Sequence, residues 1–287
     1  MARLFAAFVA ATLVGGCVMP PPKLPESRSV AISVLADWDA DTSALGDYWI
    51  PDSQVAVGGR DGATAVGGMF GLLGLGIGAA IDRSRNASGV QEAAKTIGLT
   101  FDRRVFEDIA RRMVADPASG LKLVRVDDPG AQVQLAPFAR FHAVDDGPPV
   151  LTFTLQGRMG QRSRAGYSER KTYVMLSPER RRILGAGGWG DAQAVPSFDT
   201  ASTVAFQRLV EAFMLDLRGE LPLPQPGAEQ RRIKWQYVNH KGEAAVGDAV
   251  VLREMPGYVL AAPITRDAPS RYGIVVVDEA LLRDPPR

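Results

Sequence analysis

The chain has very few of the residues on which most enzymes and small secreted domains depend. Among its 287 residues there is one cysteine, and there are two histidines. A lone thiol excludes an internal disulfide and every cysteine-rich metal site. The histidines, His142 and His240, lie about a hundred residues apart and lack the H-E-x-x-H spacing of a zinc-binding helix. A charge excess is missing too, with 33 basic against 32 acidic residues, so nothing favours nucleic acid or long-range steering of a charged ligand. No glycine-rich loop ends in Lys-Ser or Lys-Thr to cradle a phosphate. Gly74-x-Gly76-x-x-Ala79 fits the loose dinucleotide fingerprint but lacks the preceding strand and the acidic partner about twenty residues on. Gly166-Tyr167-Ser168-Glu169-Arg170 opens like a nucleophile elbow and has no closing glycine. These absences point away from catalysis, and no cofactor or metal is expected.

What is present begins at the N-terminus. Arg3 carries one positive charge, the apolar or small residues Leu4 to Leu13 follow, and Gly15-Gly16 precede Cys17. That is the layout of a secretory signal over residues 1–16, too short to span a membrane permanently. Leu13-Val14-Gly15-Gly16-Cys17 resembles the bacterial lipobox, and the only cysteine of the chain falls at its obligatory position. The resemblance implies that a diacylglycerol is attached to the Cys17 sulfur, that the signal is cut before it, and that the new amino group is acylated, with palmitate a typical chain. Each buried methylene contributes about 0.8 kcal/mol, so two or three chains make a stable anchor. Val18, rather than aspartate, follows the cysteine, which by the same resemblance favours the outer membrane, facing the periplasm, with the inner membrane left open. Proline-rich residues 17–28 read as an extended tether. Loss of Arg3 with the signal leaves 32 basic against 32 acidic residues, a net charge of zero.

The body reads as α+β: an antiparallel sheet covered by amphipathic helices over 29–221, and a small β-rich C-terminal module over 228–287 beyond a proline linker at Pro222, Pro224 and Pro226. The spacing predicts strands at 29–36, 121–126, 132–141, 150–157, 171–177 and 182–189. Later strands are expected at 232–238, 249–254, 258–262 and 272–278. Residues 37–60 read as a long loop. In 150–157, Leu151, Phe153 and Leu155 alternate with Thr152, Thr154 and Gln156, so one face is buried. Helices are predicted at 88–97, at 102–115 and from a cap at Ser197 or Asp199 to Leu217. In the last of these Phe206, Leu209, Val210, Phe213 and Leu217 form the stripe that should meet the sheet.

The most unusual segment is the uncharged, glycine-rich, apolar stretch at 62–81. Gly67, Gly71, Gly74 and Gly78 fall at i, i+4, i+7 and i+11, a side-chain-free ridge if the segment is helical. Three readings stay open: a glycine-zipper helix that oligomerises or inserts in lipid, a hairpin or helix packed within the body, and a linker. Twenty residues at 1.5 Å each match the ~30 Å hydrocarbon core, but each glycine costs about 1 kcal/mol of helix propensity.

The order of elements over 29–221, with Tyr173 to Met175 and Gly187-Gly188-Trp189 before the last helix, resembles the small α+β domains of the curli-secretion pore family, the transport-auxiliary lipoproteins and the N-terminal domain of TolB-like proteins. The resemblance implies an envelope lipoprotein, non-enzymatic, acting by protein contacts in assembly, scaffolding or transport. Its expected partners are the membrane, through the Cys17 lipid, and an envelope protein or a second copy of itself. Two alternatives stand beside it: an oligomeric membrane pore built from the glycine-rich segment, and a periplasmic hydrolase of an envelope polymer that uses His142, with Asp145 and Asp146 nearby, or scattered carboxylates. The basic clusters Arg162-Ser163-Arg164, Arg170-Lys171, Arg180-Arg181-Arg182 and Arg231-Arg232 read as solvated loop and strand-edge charge.

Overall fold

The alternation in residues 150–157 decides where the core lies. In a computed structural model of the chain, Val150–Met159 (β6) pairs antiparallel with Val133–His142 (β5) and with Glu169–Leu176 (β7). Phe141, Phe153 and Tyr173 share one face, and all are fully buried or nearly so. The structure describes residues 30–34, 48–49, 54–58, 103–115, 120–125, 128, 131–142, 148–159, 169–183, 185–191, 193–223, 229–238, 244–265, 268–270 and 272–282. Cys17, the tether, the predicted helix at 88–97 and the ridge Gly67, Gly71, Gly74 and Gly78 lie outside them.

The described residues form a mixed α and β body dominated by one large sheet, with two α-helices. Helix α1 is Arg103–Val114 and α2 is Phe198–Leu217. Ser197 caps α2, its side chain accepting from the Thr200 amide, and Gly219 ends it at φ 73°, a left-handed conformation that costs glycine least. The predicted stripe faces the sheet. Phe206 meets Phe153 edge-on at 5.7 Å and Phe106 of α1 at 5.9 Å, while Phe213 meets Tyr173 at 5.8 Å.

The remaining strands are Val30–Val34 (β1), Tyr48–Trp49 (β2), Val55–Gly58 (β3), Leu121–Leu123 (β4), Arg232–Val238 (β8), Ala244–Met255 (β9), Tyr258–Thr265 (β10), Ala268–Pro269 (β11) and Gly273–Asp278 (β12). The main path runs β2-β3-β5-β6-β7-β12-β10-β9-β8. The sheet is mixed rather than antiparallel throughout: β1 and β3 run parallel to β5, and β12 runs parallel to β7. Short connections predict antiparallel neighbours only between consecutive strands, whereas β12 returns from the far end of the chain to lie between β7 and β10.

Three further differences have local causes. Residues 37–60, read as loop, contain β2 and β3, whose short runs are hidden among Asp, Gly and Ser. Residues 182–189, read as a strand, form a turn-rich loop, because Gly185 and Gly187 adopt φ 96° and 72° and bend the chain. The proline linker at 222–226 does not interrupt the sheet: Tyr258, Leu260, Ile274 and Val276 belong to the same apolar cluster as Phe153 and Phe206. Strands of the C-terminal segment therefore share both a sheet and a core with those before the linker. Among the described residues no helix is long and apolar enough to cross a membrane.

Candidate functional site

Three clusters of polar contacts stand out among the described residues. The first lies between α2 and the sheet. Asp216, on the last turn of α2 and 5% exposed, accepts a hydrogen bond from the Tyr173 hydroxyl at 2.6 Å and one from Lys171 Nζ at 2.8 Å. Burial, followed by the adjacent Asp216 carboxylate, pushes the Tyr173 hydroxyl well above the ordinary tyrosine range, so it stays protonated and donates. One helical turn or more away along α2, the Tyr258 hydroxyl donates to Glu211 at 2.6 Å and Arg208 pairs with Asp278 at 2.7 Å. The Arg208 guanidinium also sits 4.6 Å from the Tyr258 ring centre. Desolvation of the Tyr258 hydroxyl and its bond to Glu211 raise it in the same direction as Tyr173. Helix α2 is thus fastened to β7, β10 and β12 by charged contacts arrayed along its length.

The second place is the opposite face of β5 and β6. His142 Nε2 lies 2.9 Å from the Thr152 hydroxyl, which in turn is 3.4 Å from the Arg140 carbonyl. Burial and then the nearby Arg140 cation push the His142 imidazole down to about 3, so it is neutral throughout the physiological range. A ring held neutral in this way is a weak proton acceptor. Its hydrogen-bond partner is a threonine; Asp145 and Asp146, and likewise His240, lie outside the described residues.

The third place is the loop between β7 and α2. Arg181 points inward: its guanidinium lies 5.1 Å from the Trp189 ring centre, donates to the Pro196 and Val195 carbonyls and pairs with Glu179. Asp191 accepts from the Gly187 and Gln193 amides, which hold its carboxyl below the usual carboxylate range. Of the arginines read from the sequence as solvated charge, Arg181 therefore organises a loop. Arg231 pairs with Glu254 across a strand edge, and Arg162 and Arg164 lie outside the described residues.

Within the described residues, these contacts join elements of the fold to each other. Among the described residues no group of three or more His, Cys, Asp or Glu side chains could hold a metal ion. No known family matches the chain, and no curated protein or solved structure resembles it significantly.

Sequence reasoning missed the Asp216 cluster, although its signal was present. Asp216 stands three residues after Phe213 and seven after Leu209, inside the apolar stripe of α2, where a carboxylate is tolerated only if it is paired. The partners, Lys171 and Tyr173, are at i and i+2 on one strand and so project to the same face.

Proposed function

We propose that this protein is a lipid-anchored envelope lipoprotein that works through protein contacts, as an assembly, scaffold or transport-auxiliary component, and not by catalysis. The observation that carries the reading is how the buried polar groups are used. Asp216, Glu211 and Arg208 fasten a helix to a sheet, and His142 is kept neutral against Thr152. A body stiffened in this way suits the presentation of surfaces to a partner. The lipobox at Cys17 supplies the anchor, and the packing of α2 on the sheet through Phe206 and Phe213 is consistent with an α+β body. The outer membrane, facing the periplasm, is the proposed location.

Fractionation tests the anchor. Cys17→Ser should move the protein from the membrane to the soluble fraction, and deletion of residues 62–81 should leave it membrane-bound. Release by the deletion alone would transfer the attachment to the glycine-rich segment. Crosslinking in the native membrane tests the contacts: recovery of only uncrosslinked monomer would overturn the contact-based reading.

A further inference from the structure

Strand β8 ends the strand order, and among the described residues no strand pairs with its outer edge. The direction of its backbone groups follows from one bond. The Val251 amide donates to the Arg231 carbonyl at 2.9 Å, so 231 and 251 are a hydrogen-bonded pair, and the register continues as Arg232↔Val250 and Ile233↔Ala249. By the alternation of antiparallel ladders, Ile233, Trp235 and Tyr237 direct their backbone groups at β9. Arg232, Lys234, Gln236 and Val238 direct theirs outward.

The side chains of this edge are arranged for a neighbour. Ile233, Trp235 and Tyr237 share one face. The Trp235 and Tyr237 rings lie 5.1 Å apart, tilted by 30°. They cover Gly247 of β9, where a Cβ would come within 3.1 Å of Tyr237 Cε1 and 3.2 Å of Trp235 Nε1. Of the cations at this edge, Lys234 pairs with Asp248 at 3.3 Å and Arg231 with Glu254 along the inner seam, and Arg232, at the start of the strand, is exposed.

We propose that the outer edge of β8 pairs antiparallel with β8 of a second copy of this chain, about a two-fold axis at Trp235. In that register Lys234 faces Gln236, Arg232 faces Val238, Ile233 faces Tyr237 and Trp235 faces its twin. Every outward backbone group from Arg232 to Val238 finds a partner, no like charges meet, and the apolar face runs unbroken from one copy to the other. Moving the axis to Lys234 sets two lysines opposite each other. Moving it to Gln236 sets Arg232 and Ile233 opposite positions beyond Val238, outside the described strand. The proposal rests on the contact-based reading, of which it names one contact, and it does not depend on the lipid.

The test uses the full chain carrying Cys17→Ser, in which no other thiol is present. Trp235 twins form a non-hydrogen-bonded pair, close enough for a disulfide. Gln236 twins are offset along the strands beyond the ~7 Å Cα separation that a disulfide tolerates. Trp235→Cys should therefore give a disulfide-linked dimer under mild oxidation, and Gln236→Cys should stay monomeric. Independently, the protein with Trp235 intact should have the mass of a dimer by light scattering. Gln236→Pro, which removes one outward amide and leaves the inner seam alone, should weaken that dimer at least tenfold with an unchanged circular dichroism spectrum. Equal crosslinking at both positions, a monomeric mass for the protein with Trp235 intact, or a dimer indifferent to Gln236→Pro would each overturn the pairing. A monomeric mass alongside recovery of a different partner by membrane crosslinking would remove the β8 pairing and keep the contact-based reading.

Discussion

On the side of the sheet that meets α2, Asp216 takes hydrogen bonds from residues more than forty positions away, and Arg208 reaches Asp278 seventy positions on. On the other side of the same sheet, His142 and Thr152 are ten positions apart within one hairpin. Both sets of polar groups are largely buried, yet they report on different things. The α2 contacts exist only once helix, central strands and C-terminal strands have assembled, whereas the hairpin contact needs only β5 and β6. Substitutions on the two faces should therefore separate tertiary assembly from local order.

The largest effect is expected on the helix side. Phe206→Ala empties a fully buried site between Phe106 and Phe153 and should lower the unfolding free energy by about 4 kcal/mol in a urea titration. Asp216→Ala leaves Lys171 and Tyr173 without their shared acceptor. A loss of about 3 kcal/mol is expected, and Tyr173→Phe introduced on that background should add less than it does alone. Additive losses would mean that the cluster does not act as a unit.

Across the sheet the effects should shrink. Val259→Ala, in the apolar cluster with Ile233, Ala261, Val275 and Val277, removes two buried carbons and should cost about 2 kcal/mol. The hairpin contact should appear chiefly in pH dependence. Because folding pushes His142 from 6.5 down to about 3, the unfolded chain takes up a proton that the folded chain refuses. The stability contributed by the neutral ring is therefore complete above pH 6.5 and lost as pH falls from 6.5 toward 3, by up to about 1.4 kcal/mol per pH unit. His142→Gln should flatten that slope between pH 7 and pH 5 while changing stability at pH 7 by only about 1 kcal/mol. An imidazole that titrates near 6.5 by NMR in the folded protein would show that the ring is solvated.

The same comparison explains what could be read from the sequence. The alternation of Leu151, Phe153 and Leu155 and the stripe of α2 are local periodicities, and both elements form with Ser197 as the cap. The loop over 182–189 escaped because Ile183, Leu184 and Trp189 outweighed Gly185 and Gly187, whose positive φ decides the path. Parallel pairing of β12 with β7 escaped because the segments meet about a hundred residues apart and no local signal records it. Of the site residues, Asp216 announced itself by standing in an apolar stripe, and nothing in the sequence named Lys171 and Tyr173 as its partners.

The place of β12 bears on the order of events in time. A chain made from its N-terminus produces β7 first, then α2 and the β8-β9-β10 meander, and only after these the strand that fits between them. Until Gly273–Asp278 emerges, β7 and β10 each carry an open edge, and the two blocks of strands have no shared ladder. A chain lacking residues 273–278 would be left with two unfinished blocks of strands whose open edges can pair with other copies. β12 therefore closes the sheet: only once Gly273–Asp278 has been made can β7 and β10 be joined through a shared strand.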